Sequence, residues 1–332
     1  MSKVLLTGIG GFIGSHVLEH IMLTTDWNVV GIASWKHKGT PERVEEVMRP
    51  EWKDRLEIIT HDLISPIPER TKARIGQVDY IINVASESHV DRSITDPVPF
   101  IQNNVNLALN MLEFAREVKP KVFIQISTDE VYGVAPEGVN HKEWATMLPS
   151  NPYSASKACQ EAIAISYWRT YGVPVVITNT MNNFGEMQDS EKYIAKVIKC
   201  ITEDKVVPVH GTAEHIGSRY YLHARNHADA VLFIIKNIKP EVYSEDNLYP
   251  SRYNVVGDIE LNNLEVAQRI AQFMGKELKY ELTDFHGTRP GHDRRYALDG
   301  NKLKEAGWTP PLGFDESLQK YIDWTLMHPL WL

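Results

Sequence analysis

Two cysteines among 332 residues leave no disulfide framework to organise the chain. Cys159 and Cys200 both fall in segments with amphipathic helical patterning, where a small buried thiol is expected. Long apolar runs are missing as well: no stretch approaches the roughly 18 residues of a membrane span. Met1-Ser2-Lys3 passes directly into Val4-Leu5-Leu6, without the apolar stretch and small-residue cleavage site of a signal peptide. A soluble, cytoplasmic protein is expected. Basic charge is in deficit, with 35 Lys and Arg against 43 Asp and Glu and a formal net charge of -8. That balance argues against a nucleic-acid surface, which needs clustered Lys and Arg on one face. Any anionic ligand must be held by local basic residues. Internal repeats, low-complexity tracts and long linkers are absent from the sequence. His223 and His227 share a helical spacing, but no third ligand accompanies them at a recognisable distance. Packing or helix capping is expected there, and no metal.

What is present is the makeup of a globular protein, 43% hydrophobic and 23% charged, long enough for one large or two intimately packed domains. Short β-branched runs at Lys3–Thr7, Val29–Ala33, Leu56–Thr60, Tyr80–Val84, Val122–Ser127 and Val175–Asn179 alternate with longer helical patterns. That rhythm predicts βαβ units: an α/β chain with a Rossmann-type doubly wound parallel sheet. Asp96–Val118 and Pro152–Tyr171 are the longest predicted helices, and candidates for a helical dimer interface. After about Thr180 the alternation fades into shorter elements. Residues 1–180 are therefore expected to form the dinucleotide-binding part and 181–332 a smaller, substrate-covering region, with a soft boundary that strands may cross.

The first strand runs into Gly8-Ile9-Gly10-Gly11-Phe12-Ile13-Gly14 and then a helix. Glycines at 8, 11 and 14 allow a tight turn and let backbone N–H groups and the helix N-terminus approach a pyrophosphate, with Phe12 and Ile13 in the first helical turn. A plain turn before a helix is the alternative reading of the spacing alone. The second strand ends near where an adenosine ribose would lie, and an NAD-selective site usually places an acid there. Here the chain continues Ser34-Trp35-Lys36-His37-Lys38, whose donors and charge suit a 2′-phosphate, so NADP is favoured over NAD. A solvated basic loop would read the same way. Asp62, followed by Leu63, either accepts from an adenine amino group or is a turn residue. Ala85, at the end of the fourth strand, completes the expected cofactor contacts on this side.

Two further motifs fall where strands should end and helices begin. Ser127-Thr128-Asp129-Glu130-Val131-Tyr132-Gly133 follows the fifth strand, and Tyr153-Ser154-Ala155-Ser156-Lys157 opens a helix. Tyr153 and Lys157 lie one turn apart on one face. An ammonium beside a phenol lowers its pKa, so that a tyrosinate can take a hydroxyl proton as hydride leaves for a nicotinamide. Two adjacent acids add a second capability: one carboxylate can act as a base while a neighbouring carboxylic acid donates a proton.

These residues together resemble the extended short-chain dehydrogenase/reductases, and Thr128-Asp129-Glu130-Val131-Tyr132-Gly133 resembles the signature of the dTDP-glucose 4,6-dehydratases. The similarity extends over Ala85-Ser86-Glu87-Ser88-His89-Val90-Asp91-Arg92-Ser93, Asn182-Asn183-Phe184-Gly185, Glu191-Lys192 and Arg289-Pro290-Gly291-His292-Asp293-Arg294-Arg295-Tyr296. It implies Glu130 as base, Asp129 as acid and Thr128 at the sugar O4. It further implies Ser88 at the sugar, Asn182, Lys192 and Arg219 at a diphosphate, and Asn183 at the cofactor. Pro208, His210, Arg289 and His292 would complete the nucleotide-sugar site, and a homodimer is expected.

The chain departs from the pattern in one region above all. The family's base-binding Pro-Val-Tyr-Gly-Asp-Gly and Arg-Asp-Trp become Pro208-Val209-His210-Gly211-Thr212-Ala213 and Arg219-Tyr220-Tyr221, with two extra residues between them. His210 could still stack on a base, but thymine is not assured. Thr288 replaces a usual Asp, and Asn103 a usual hydroxyl residue near the cofactor. The expected activity is conversion of a nucleoside-diphosphate hexose to its 4-keto-6-deoxy product, with internally recycled NAD(P). A C4 epimerase on the same scaffold and a silent dinucleotide-sensing protein are the alternatives.

Overall fold

The computed structural model describes residues 1–36, 38–284 and 294–332. The β-branched runs form strands because both their faces are covered. β1 (Lys3–Thr7), α1 (Phe12–Thr24), β2 (Asn28–Ala33), α2 (Pro41–Val47), β3 (Leu56–Thr60), α3 (Glu69–Ile75), β4 (Tyr80–Asn83), α4 (Val90–Thr95), α5 (Pro97–Val118), β5 (Val122–Thr128), α6 (Pro152–Tyr171) and β6 (Val175–Thr180) follow one another along the chain. The remainder comprises β7 (Asn182–Phe184), α7 (Tyr193–Thr202), β8 (Val207–His210), β9 (Ser218–His223), α8 (Ala224–Asn237), β10 (Ser251–Val255), β11 (Glu260–Asn262), α9 (Asn263–Phe273), β12 (Tyr280–Thr283), β13 (Arg295–Tyr296), α10 (Asn301–Glu305) and α11 (Phe314–Met327).

Seven strands make one parallel sheet in the order β10-β6-β5-β4-β1-β2-β3. The order reverses between β1 and β4, and such a switch point opens a crevice at the carboxyl ends of the strands. Alternation along each strand divides the core. Leu5, Ile81, Phe123 and Ile177 pack under α5 and α6 with Met111, Leu112, Ala164 and Trp168. Val4, Leu6, Ile82 and Ile124 pack on the other side with Val17, Leu18 and Ile21 of α1 and Val231 and Ile235 of α8.

Strand ends differ from the sequence expectation for local reasons. β4 stops at Asn83 because the backbone N–H groups of Val84 and Ala85 turn to the Thr7 hydroxyl, at 3.1 and 3.0 Å. β5 and β6 each run one residue further because Thr128 still pairs with Thr180. The seventh strand, β10, comes from the C-terminal half and pairs in parallel with β6. Cys159 is exposed and Cys200 half-buried, both free, so the expected buried thiols are not found: Cys159 falls on the outward face of α6.

The C-terminal half builds a smaller sheet around β9, flanked by β11, β13 and β7, while β8 pairs with β12. Its core holds Phe184, Val197, Ile198, Val209, Val266, Ile270, Leu318 and Tyr321. Among the described residues no helix is long and apolar enough to cross a membrane.

Candidate active site

At the switch point the glycines act through space as much as through torsion. Gly8 has φ +67, and a Cβ there would lie 2.9 Å from the Ala85 backbone; a Cβ on Gly14 would lie 2.0 Å from the Gly8 carbonyl oxygen. The turn is thus pressed between the loop after β4 and the first turn of α1. Gly11 caps α1 without any side-chain hydrogen bond, and the first turn, with Phe12 and Ile13, carries no acid. Such an N-terminus presents backbone donors to an anion, so the cradle fits a dinucleotide pyrophosphate.

The loop after β2 differs from its sequence reading. Lys36 is not a free cation: its Nζ lies 2.6 Å from Asp62 Oδ2. Lys38 likewise pairs with Asp189 at 2.8 Å. Trp35, in the left-handed region at φ +54, donates its indole N–H to Thr60, and Ser34 Oγ accepts from the Lys36 backbone at 3.4 Å. Asp62 also accepts from the Ile64 backbone at 3.1 Å, an Asx turn in addition to the ion pair. Burial would raise its pKa, but these donors win and hold it below its usual value. With the lysines on carboxylates, the basic loop gives no support to a 2′-phosphate. Leu63 is buried beside this turn and its carbonyl accepts from Asn110.

β5 delivers the acid pair. Thr128 caps a short turn, Asp129–Tyr132, by accepting from the Glu130 backbone. Its hydroxyl donates to Asp129 Oδ1 at 2.8 Å, while Asp129 Oδ2 is buried without a hydrogen-bond partner among the described residues. Burial, then the charge of Glu130, push the Asp129 carboxyl up to about 7 against the opposing pull of Thr128 and Arg219. α6 begins at an Asn151 capping box followed by Pro152, and Asn151 Nδ2 also donates to Glu130 Oε2 at 3.3 Å. The helix cap therefore ties the Tyr153 segment to the acid pair. Sequence reasoning missed Asn151; an Asn directly before Pro at a helix start was the available signal.

The expected pairing of Lys157 with Tyr153 needs correcting. Lys157 Nζ donates to the Ile126 carbonyl and to Gln160 Oε1, both at 2.7 Å. Tyr153 hydrogen-bonds Thr128, and burial followed by the charges of Glu130 and Asp129 raises its pKa far above the usual phenol value. In the protein alone the phenol keeps its proton. Lys157 is lowered to about 8 by burial, against the opposing charge of Glu161.

β9 and β7 bring the second half of the site alongside. Arg219 on β9 acts electrostatically on Asp129, stacks on the Tyr296 ring at 5.5 Å and leaves its Nε buried without a hydrogen-bond partner among the described residues. Asn182 Oδ1, in the register next to Tyr221, is buried and unpartnered in the same way. Ser88 is exposed in the loop before α4, and Lys192 is the N-cap of α7. Pro208 and His210 lie on β8, paired with β12. Asn183 donates through Nδ2 to Thr180 and Met181 and accepts through Oδ1 from His227 Nδ1, so in the protein alone the side chain fastens its own strand. Arg289, His292 and Thr288 lie outside the described residues. His223 caps α8 and lies 3.1 Å from the buried Glu186. Among the described residues no three His, Cys, Asp or Glu are grouped to hold a metal.

A parallel sheet with a glycine turn at its switch point, and a Tyr-x-x-x-Lys helix beside an acid pair, define a dinucleotide-binding protein of the extended short-chain dehydrogenase/reductase class. Residues 5–321 match the family model described as GDP-mannose 4,6 dehydratase, and the chain belongs to that family. It is 35% identical over 344 residues to a probable dTDP-glucose 4,6-dehydratase of Sinorhizobium fredii, covering 99% of this chain and 94% of that one. The solved dTDP-glucose 4,6-dehydratase of Bacillus anthracis, in complex with NAD, is similar with a TM-score of 0.85 and 27% identity, over 100% of this chain and 98% of that one. The UDP-glucose 4-epimerase of Thermus thermophilus, also with NAD, follows at a TM-score of 0.82 and 25% identity, over 97% of this chain and 98% of that one.

Proposed function

We propose that this chain is a nucleoside-diphosphate-hexose 4,6-dehydratase, a hydro-lyase yielding the 4-keto-6-deoxy sugar nucleotide. The observation that carries the reading is Asp129: a buried carboxyl pushed up to about 7, with one unpartnered oxygen, beside Glu130. A C4 epimerase has no step that needs a carboxylic acid next to a carboxylate. The full-length similarity to dehydratases supports the same choice.

In this reading Gly8, Gly11 and Gly14 would hold a nicotinamide dinucleotide, which would supply the reversible hydride chemistry needed at C4 and C6. Tyr153, brought to the phenolate by the positive charge of a bound nicotinamide with the Lys157 ammonium in support, takes the O4 proton, and Thr128, hydrogen-bonded to both Tyr153 and Asp129, holds that oxygen. Glu130, steadied by Asn151, removes the C5 proton. Asp129 then gives its proton to the C6 hydroxyl, which leaves as water. Arg219, with its unsatisfied buried Nε, holds the diphosphate together with Lys192 and the donor side of the Asn182 amide, while Ser88 meets the sugar and Pro208 and His210 the base. We assign NAD rather than NADP, because Lys36 and Lys38 are spent on Asp62 and Asp189 and the solved relatives named above carry NAD. The dinucleotide part spans residues 1–180 with β10 added to its sheet, and 181–332 supplies the sugar-nucleotide part. The enzyme acts in the cytoplasm as a homodimer through α5 and α6.

The test is mass spectrometry of dTDP-glucose, UDP-glucose, GDP-mannose, CDP-glucose and UDP-N-acetylglucosamine after incubation with protein and NAD or NADP. Loss of one water from a substrate is expected. An altered sugar of unchanged mass would replace the reading by epimerisation, and cofactor binding without any turnover by a silent sensor. Sedimentation as a monomer at micromolar concentration would remove the dimer.

A further inference from the structure

Outside the acid pair, one buried polar array is used by no step above. Thr7, Asn83 and Gln125 stand side by side on neighbouring strands, in register across β1, β4 and β5, on the sheet face that α5 and α6 cover. All three, with Gln160 and Asn104, have no solvent exposure. Apolar residues would fill such positions at lower cost unless every polar atom were satisfied.

The hydrogen bonds are not only satisfied but directional. The backbone N–H groups of Val84 and Ala85 can only donate, and both point to Thr7 Oγ1. The Thr7 hydroxyl must then donate onward, to Asn83 Oδ1 at 2.8 Å. Asn83 therefore turns its Nδ2 to Gln125 Oε1 at 2.9 Å, and Gln125 turns its Nε2 to Gln160 Oε1 at 3.2 Å. Gln160 Nε2 is held by the Asn104 carbonyl at 2.8 Å, which leaves Gln160 Oε1 facing Lys157 Nζ at 2.7 Å. At the far end an ammonium, which also can only donate, matches the polarity set beside the glycine turn.

We propose that Gln160, oriented by Gln125, is a positioning residue that aims the Lys157 ammonium. Of the three Nζ protons, one goes to Gln160 and one to the Ile126 carbonyl. A single proton remains, and the two fixed bonds set its direction. Thr7 immediately precedes Gly8, so the array connects the wall of the dinucleotide cradle to the lysine of the candidate active site. Glu161, next along α6, acts on Lys157 by charge, and Asp129 and Glu130 face Tyr153; Gln160 adds an acceptor without adding charge. The inference rests on the dehydratase reading for its link to turnover, but not for the geometry at Lys157.

The experiment uses the full chain loaded with NAD, comparing wild type with Gln160→Met, Gln160→Glu and Gln125→Met. Losing an acceptor from the ammonium lowers its hold on the proton. Gln160→Met should reduce kcat about tenfold to a hundredfold with KM changed far less, and move the Lys157-dependent limb of the kcat profile to lower pH. Gln160→Glu, which keeps the acceptor, should recover much of kcat and move that limb upward. Gln125→Met should shift it in the same direction as Gln160→Met, by less. The Lys157 13Cε resonance, assigned with Lys157→Met and titrated without any sugar nucleotide, should move down in Gln160→Met. An unmoved limb and resonance, with activity lost only in step with thermal stability, would leave the array a structural filler and overturn the proposal. If wild-type protein turns over no sugar nucleotide while the resonance still shifts, the dehydratase reading fails and the aiming of Lys157 stands.

Discussion

The hydroxyl of Thr128 donates to Oδ1 of Asp129 over 2.8 Å, and the other oxygen of that carboxyl is enclosed without a hydrogen-bond partner among the described residues. Oδ2 is thus the oxygen on which a transferable proton would sit. Since the carboxyl is raised to about 7, the acid form is half-populated near neutrality. Activity that needs this acid should fall as pH rises above about 7, approaching tenfold per pH unit. A profile of kcat/KM flat from pH 7 to 9 would contradict the assignment.

The same residue bears on stability. A carboxyl whose folded pKa exceeds its unfolded value favours folding at low pH, and that contribution is lost as pH rises through the folded pKa. For Asp129 the window runs from about 4 to about 7. Asp129→Asn, which cannot ionise, should melt a few degrees above wild type at pH 8, and the gain should vanish towards pH 4. It should also lose dehydration while retaining dinucleotide, with Glu130→Gln doing likewise. Calorimetry at the two pH values, with cofactor extraction, checks each part.

Arg252 and Glu161 form an ion pair in which neither side chain is exposed. Arg252 also donates to the Glu143 carbonyl at 2.8 Å and stacks on Trp144 at 4.2 Å, while Glu161 accepts from Asn179 at 2.7 Å. This joins β10, added from the C-terminal half, to α6. Arg252→Met leaves a buried carboxylate without its partner and should cost about 3–5 kcal/mol. The double variant Arg252→Met with Glu161→Met should recover a large part of that loss in urea unfolding; simple additivity of the two would show that the pair is not coupled.

At Gly14 there is no room for a methyl group, since the new Cβ would sit 2.0 Å from a backbone oxygen. Gly14→Ala must push α1 off the glycine turn, and dinucleotide affinity should fall by at least about a hundredfold in a fluorescence titration. Gly138→Ala meets no neighbour and should leave that affinity unchanged, although its positive φ costs some stability.

Lys36 tests the cofactor choice. It is more than half exposed and paired with Asp62, so removing it with Lys36→Ala should weaken NAD binding by less than about fivefold. Cofactor extracted from the purified protein should have the mass of NAD. Recovery of NADP, with its binding abolished by Lys36→Ala, would restore the phosphate reading of this loop.

Local pattern was enough to place most of the sheet, the glycine turn and the acids at a strand end. The β-branched runs became strands because burial on both faces demands continuous apolar sequence. Gly8, Gly11 and Gly14 fell where a backbone must pass close to another backbone, and Thr128, Asp129 and Glu130 emerged at the end of a buried strand. The strand runs, the glycine spacing and the strand-end acids each show in a pattern of a few neighbouring residues, even where, as at Gly8, the close approach is to a distant backbone, so the sequence carries them. The tertiary structure alone decided the rest. Lys36 is neutralised by Asp62, 26 positions away, and Lys157 turns to Ile126 and Gln160 rather than lowering the Tyr153 pKa. β10 enters the sheet from beyond residue 250, and Asn83, Gln125 and Gln160 join into one directed array. Each of these depends on which distant group supplies the opposite charge or the missing hydrogen-bond partner, and only the folded packing of the elements fixes that.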